Sequence, residues 1–174
     1  MRRLVGTIAV ALAGLFTHAA GTWGQHDHGG GQAQGHQAAQ ACAIEFEKVV
    51  GEGRGYGMAF AADQNGYPGP LHVLELKDRL KLTAGQEAKM RELMHAMFAE
   101  SKPKSARLLE AEAKLRHLFA GRAADDAALR TAVGEIERAR SEVRLVHLLT
   151  HLKTRDLLTE DQRRIYHQAR WGTL

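Results

Sequence analysis

From Leu71 onward the apolar positions of the chain return at helical spacing. Leu71, Leu74 and Leu76 begin one apolar face, and Pro70 suits the first position of the short helix that carries it. Met90, Leu93, Met94, Met97, Leu108, Leu115 and Phe119 form a longer stripe, predicting a long helix that Gly121 ends. Pro103 interrupts that stripe. Proline lacks an amide donor and crowds the preceding turn, so a kink is expected near Ser101. Leu129, Val133, Ile136, Val143, Val146 and Thr150 mark the buried face of another long helix, from about Asp125 to Arg155. Arg130, Glu137, Arg138, Glu142 and Arg144 lie on its solvated face. A short last helix reaches about Arg170, and no segment alternates at period two. The predicted fold class is therefore all-α: a long antiparallel helical hairpin with short flanking helices. A helix of about 36 residues spans about 54 Å. So thin a hairpin cannot cover both sides of its apolar stripes, which predicts a homodimer.

The chain before Leu71 follows another pattern. Arg2 and Arg3 precede an apolar or small-residue run from Leu4 to Phe16, and Ala19, Ala20 and Gly21 follow. Charge, apolar run and small residues in that order describe a secretory signal over residues 1–20. The run is short for a membrane span, so cleavage is favoured over a retained anchor. Residues 21–69 are expected to be a flexible arm and loop. Gly21 to Gln40 is rich in Gly, Gln, Ala and His and has little to bury. Ala43 to Val50 suits one or two helical turns, and Gly51 to Pro70 holds six glycines and two prolines. Residues 70–171 make up the helical domain. The glycines at 53, 55 and 57 do not have dinucleotide-fingerprint spacing, and no strand precedes them.

Composition narrows the function. The net charge is +4, but without Arg2 and Arg3 there are 22 basic against 20 acidic residues, which argues against nucleic acid as a partner. Cys42 is the only cysteine, so an internal disulfide is excluded and a free thiol in the arm is expected. No nucleophile stands with a base and an orienting partner, and an enzyme is not expected.

Two cap signatures carry more. Thr83 with Gln86 and Thr159 with Gln162 each read as a capping box. Each is preceded by leucine, giving Leu82-Thr83-Ala84-Gly85-Gln86 and Leu158-Thr159-Glu160-Asp161-Gln162. Two L-T-x-x-Q copies, one opening the hairpin and one opening the last helix, resemble the LTXXQ-motif family of periplasmic proteins. That family includes the Spy and CpxP stress chaperones and the ZraP and CnrX metal-responsive proteins. The resemblance covers roughly Leu71 to Trp171. It implies a cradle-like homodimer in the periplasm, acting either as a chaperone for unfolded clients or in metal sensing.

The histidines favour metal. His147 and His151 stand one helical turn apart, so both imidazoles can reach one ion. A third ligand is needed. His72, on the short helix expected beside that end of the hairpin, is the candidate, with Glu75 in reserve. Such donors suit zinc, nickel, cobalt or copper. The plainer alternative is a pair of ordinary helix histidines. His26, Asp27, His28 and His36 suit weak scavenging or neutral linker equally. Met90, Met94 and Met97 read first as core, then as an adaptable client surface, then as a copper site. The expected function is a transition-metal-binding protein of a heavy-metal or envelope stress response. The alternatives are a metal-independent chaperone and the sensor subunit of a complex with a membrane-bound regulator.

Overall fold

The computed structural model describes residues 29–172; the leader segment and His26, Asp27 and His28 lie outside them. The described residues form helices and irregular connections with no strand. In chain order the helices are α1 (Gly29–Gly51), α2 (Phe60–Asp63), α3 (Pro70–Glu75), α4 (Lys77–Leu80), α5 (Ala84–Ala120), α6 (Asp126–Asp156) and α7 (Glu160–Trp171). The long pair α5 and α6 pack side by side as the expected hairpin. Asp125 caps α6, its Oδ1 accepting the Ala128 amide at 2.7 Å. Pro103 lies inside an uninterrupted α5.

The arm departs from expectation. Helix begins at Gly29, where Gly21 to Gln40 was expected to lack regular structure. Alanine and glutamine favour helix, and Phe46 and Val50 anchor the last turns of α1 in the hairpin core. That core also holds Leu108, Ala111, Ile136 and Val143, packed by Met58, Leu109, Leu115 and Ala139. Phe119 and Val133, placed on buried stripes by periodicity, are exposed. Phe119 lies at the tip of α5, beyond the core cluster of the described residues, and at Val133 the buried face of α6 runs through Ala132 and Ile136 instead.

A second core sits at the base. Val73, Leu80, Met90, Leu158 and Tyr166 bury one another there, with Leu74, Leu76, Leu82, Leu157 and Ile165 against them. Of the three stripe methionines, Met90 and Met97 are buried as the core reading expects, and Met94 is half-buried.

The two capping boxes meet in this base. Each Thr hydroxyl accepts the amide of its own Gln, and each Gln Oε1 accepts the amide of its own Thr. Each glutamine then uses its NH2 across the interface. Gln86 Nε2 donates to Gln162 Oε1 at 2.9 Å and to the Leu157 carbonyl at 2.9 Å. Gln162 Nε2 donates to Gln86 Oε1 at 3.2 Å and to the Leu80 carbonyl at 3.2 Å. The caps thus form one clasp joining the start of α5 to the start of α7. Glutamine is required because a carboxylate has no proton to give.

The glycine-rich connection between α1 and α3 lies across the hairpin. Ser101 Oγ, fully buried on α5, donates to the Gly53 carbonyl at 2.7 Å. Gly53 has φ +81°, and a Cβ there would meet Ser101 Oγ at 2.8 Å.

Candidate metal centre

α6 turns His147 and His151 to the same face, and both are buried, at 5 % and 8 % exposure. The glycine-rich connection makes this possible. A Cβ on Gly55 would lie 3.0 Å from the His147 ring, and one on Gly69 would lie 2.9 Å from His151 Nε2. Backbone without side chains is thus what packs on both imidazoles.

Their protonation follows from that burial. His147 is pushed down from 6.5 to about 4, first by burial and then by neighbouring His151, against the raising effect of the Gly53 carbonyl. Burial is also the main cause holding His151 below its usual value. Both rings are therefore neutral at pH 7. His151 Nδ1 lies 2.6 Å from the Tyr67 carbonyl. A carbonyl can only accept, so Nδ1 carries the proton and Nε2 keeps a bare lone pair. His147 Nε2 is buried with no hydrogen-bond partner. A neutral imidazole oriented by a carbonyl, and a second with an unsatisfied ring nitrogen, are the donors a transition ion requires.

His72 and Glu75 stand slightly apart. On α3 they pair with each other, Nδ1 to Oε2 at 2.9 Å. His72 and His147 line one cleft of about 420 Å³, with Val49, Arg54 and Phe98 among its walls. His72 Nε2 faces Arg170 Nη2 at 3.1 Å. Arg170 in turn donates from Nε to Asp63 Oδ2 at 2.7 Å. Asp63, buried at 3 % exposure, also accepts the Tyr166 hydroxyl at 2.5 Å. Burial, with that bond second, pushes the Tyr166 phenol well up, so it stays protonated. Among the described residues no three His, Cys, Asp or Glu side chains converge at metal-binding distance. The structure therefore brings His147 to His151 and His72 to Glu75, and links the second pair to Asp63 through Arg170.

Asp63, Tyr166 and Arg170 were not anticipated from the sequence. Arg170 lies 107 positions from Asp63 and reads as an ordinary cation in the last turn of a helix.

The sequence profile of the heavy-metal resistance family matches residues 55–164, more than half of the chain. The chain belongs to this family. It is the family of LTXXQ-motif proteins like Spy, CpxP and ZraP, as the paired boxes indicated. The match runs from Gly55, against His147, to just past the second box, and includes Asp63, His72, Glu75, His147 and His151. Tyr166 and Arg170 lie beyond it. No curated protein and no solved structure matches the chain.

Proposed function

We propose that this heavy-metal resistance protein is exported to the periplasm, binds a transition metal ion, and works in a heavy-metal or envelope stress response. The observation that carries this reading is the buried Nε2 of His147, without a partner, beside a second neutral imidazole. Leaving a polar atom unpaired in a protein interior costs about 1–3 kcal/mol. An arrangement with that cost is explained if the lone pair has a ligand in the working protein. Zinc, nickel, cobalt and copper are the ions that nitrogen and carboxylate donors suit.

Calorimetric titration of the chain with each ion tests this, using a background with His26, His28 and His36 changed to Ala and Cys42 to Ser. A defined stoichiometry is expected, lost in the double variant His147→Ala with His151→Ala and weakened in His72→Ala. Metal should also raise the melting temperature as the ligand excess grows. Unchanged binding in the double variant would end this reading.

A metal-independent chaperone is the second reading, and one surface favours it. Leu145, Leu149 and Leu152 are 55 %, 45 % and 42 % exposed on the outer face of α6. With Ala61, Ala62 and Tyr67 they line an apolar groove that suits unfolded segments or the second copy of a homodimer. Slowed aggregation of a reduced client by the metal-free protein, lost on changing Leu145 and Leu149 to Ser, would support it. Activity only with metal would favour the first reading.

A further inference from the structure

Two hollows meet at Tyr67. One is the apolar trough of about 430 Å³ between α2 and the leucines of α6. The other is a cleft of about 820 Å³ where the end of α6, the outer face of α7 and the chain after α2 come together. Asn65 and Tyr67 line both, so the hollows adjoin across one shared wall. Backbone bonds hold that wall: the Tyr67 amide donates to the Ala62 carbonyl at 3.0 Å, and the Tyr67 carbonyl accepts from His151 Nδ1 at 2.6 Å. The cleft is rich in cations. Arg155, Arg163, Arg164 and His167 line it, against one carboxylate, Glu160. The Arg155 guanidinium lies over the Tyr67 ring, 4.9 Å from its centre. Arg155 and Arg164 are each bonded to an adjacent aspartate, Asp156 and Asp161. Arg163 differs. It is half-buried, and among the described residues its side chain makes no hydrogen bond or ion pair. Its donors form a rigid fork that matches a carboxylate.

We propose that the two hollows together bind one anionic amphiphile, a long-chain carboxylate whose alkyl chain lies in the leucine trough and whose head group sits on Arg163. Charge complementarity selects the head. The trough selects the tail, because its walls are leucine and alanine side chains, and the one amide at its edge, Asn65 Nδ2, is already given to the Ala61 carbonyl at 2.8 Å. An unfolded segment can use such walls only through its side chains, since its backbone amides find nothing there to bond. An alkyl chain needs no hydrogen bond, and burying it against the exposed Leu145, Leu149 and Leu152 removes apolar surface from water on both sides. The lengths agree as well: from Leu145 to Arg155 the helix advances about 15 Å, close to the reach of an extended chain of about 12 carbons. Concave walls favour a single molecule over a bilayer surface, which cannot enter a cleft. This site is separate from the metal centre, for neither hollow is lined by His72, His147 or His151.

Calorimetric titration of the full chain with dodecanoate, kept below its micelle concentration and with chelator present, tests this. One molecule per chain should bind. Arg163→Gln should weaken binding at least about fivefold by removing the charged fork. Leu149→Ser should weaken it at least about threefold, and so should shortening the probe to decanoate. Dodecanol, which lacks the charge, should bind more weakly than dodecanoate and should not distinguish Arg163→Gln from the parent. Dodecanoate that binds both variants as tightly as the parent, or that binds at many sites per chain, overturns the proposal. Absence of any dodecanoate binding overturns it too. Vesicles of an anionic phospholipid that bind the parent and not Arg163→Gln, while monomeric dodecanoate binds neither, assign the face to a membrane surface instead. Should a variant fail to fold, the parent decides alone: dodecanol bound as tightly as dodecanoate removes the role of the cationic cleft. The chelator keeps metal out of every arm, so these outcomes leave the metal-binding reading where it stands.

Discussion

Replacing Gln162 with alanine will destabilise the protein by about 2–4 kcal/mol, well beyond the loss of one helix cap, for which about 1 kcal/mol is typical. The side chain is 9 % exposed and serves four partners. Its Oε1 accepts the Thr159 amide and Gln86 Nε2, and its Nε2 donates to the Leu80 carbonyl and Gln86 Oε1. Truncation leaves the buried Leu80 carbonyl and half of the part-buried Gln86 amide without their partners. Gln162→Glu should be no better, because a carboxylate faces a carbonyl it cannot bond. Urea unfolding measures both, with Asp125→Ala as the control for a lone cap. Gln86→Ala and Gln162→Ala together should show a coupling above about 0.5 kcal/mol. Strict additivity would mean that the two boxes act as independent caps.

The metal-free protein should lose about 3 kcal/mol of stability between pH 7 and pH 4 through His147. Its folded pKa, about 4, lies below the unfolded value of 6.5. The unfolded chain therefore takes the proton first. The stability is complete above about pH 6.5 and falls as the pH drops toward 4, at about 1.4 kcal/mol per unit. His151 acts in the same direction. Urea midpoints with chelator at pH 7.5, 6, 5 and 4.5 give the slope for the parent and for His147→Gln, which carries no titrating ring. A variant that is equally acid-sensitive would show that the loss arises elsewhere.

Much of the architecture was legible because it is written locally. Thr83 and Gln86 are three apart, as are Thr159 and Gln162, so each cap could be read from a short window; so could the one-turn spacing of His147 and His151. The pairing of the two caps could not, since it joins residues 76 positions apart. Asp63 was illegible for the same reason, its partners Tyr166 and Arg170 lying more than 100 positions away. The glycines read correctly as punctuation, but two of them serve a second purpose, close approach to the imidazoles, which composition does not reveal. Periodicity misplaced Phe119 because a stripe does not state how far along the helix a partner extends, and Val133 because the buried face there is set by small Ala132 together with Ile136. It missed most of α1 because that helix has almost no apolar stripe before Phe46.

The Gln86–Gln162 contact also orders the folding of the chain. It closes a ring of 76 residues around the hairpin. Bringing the ends of so long a flexible loop together costs about 4 kcal/mol of chain entropy, more than the amide pair alone returns. Ring closure becomes favourable only when α5 and α6 have already zipped together through neighbouring turns, which brings the two ends within reach. The glutamines therefore engage only once the hairpin has formed, and act as a latch upon it. A latch that closes last is expected to slow the unfolding of the protein more than it speeds its folding.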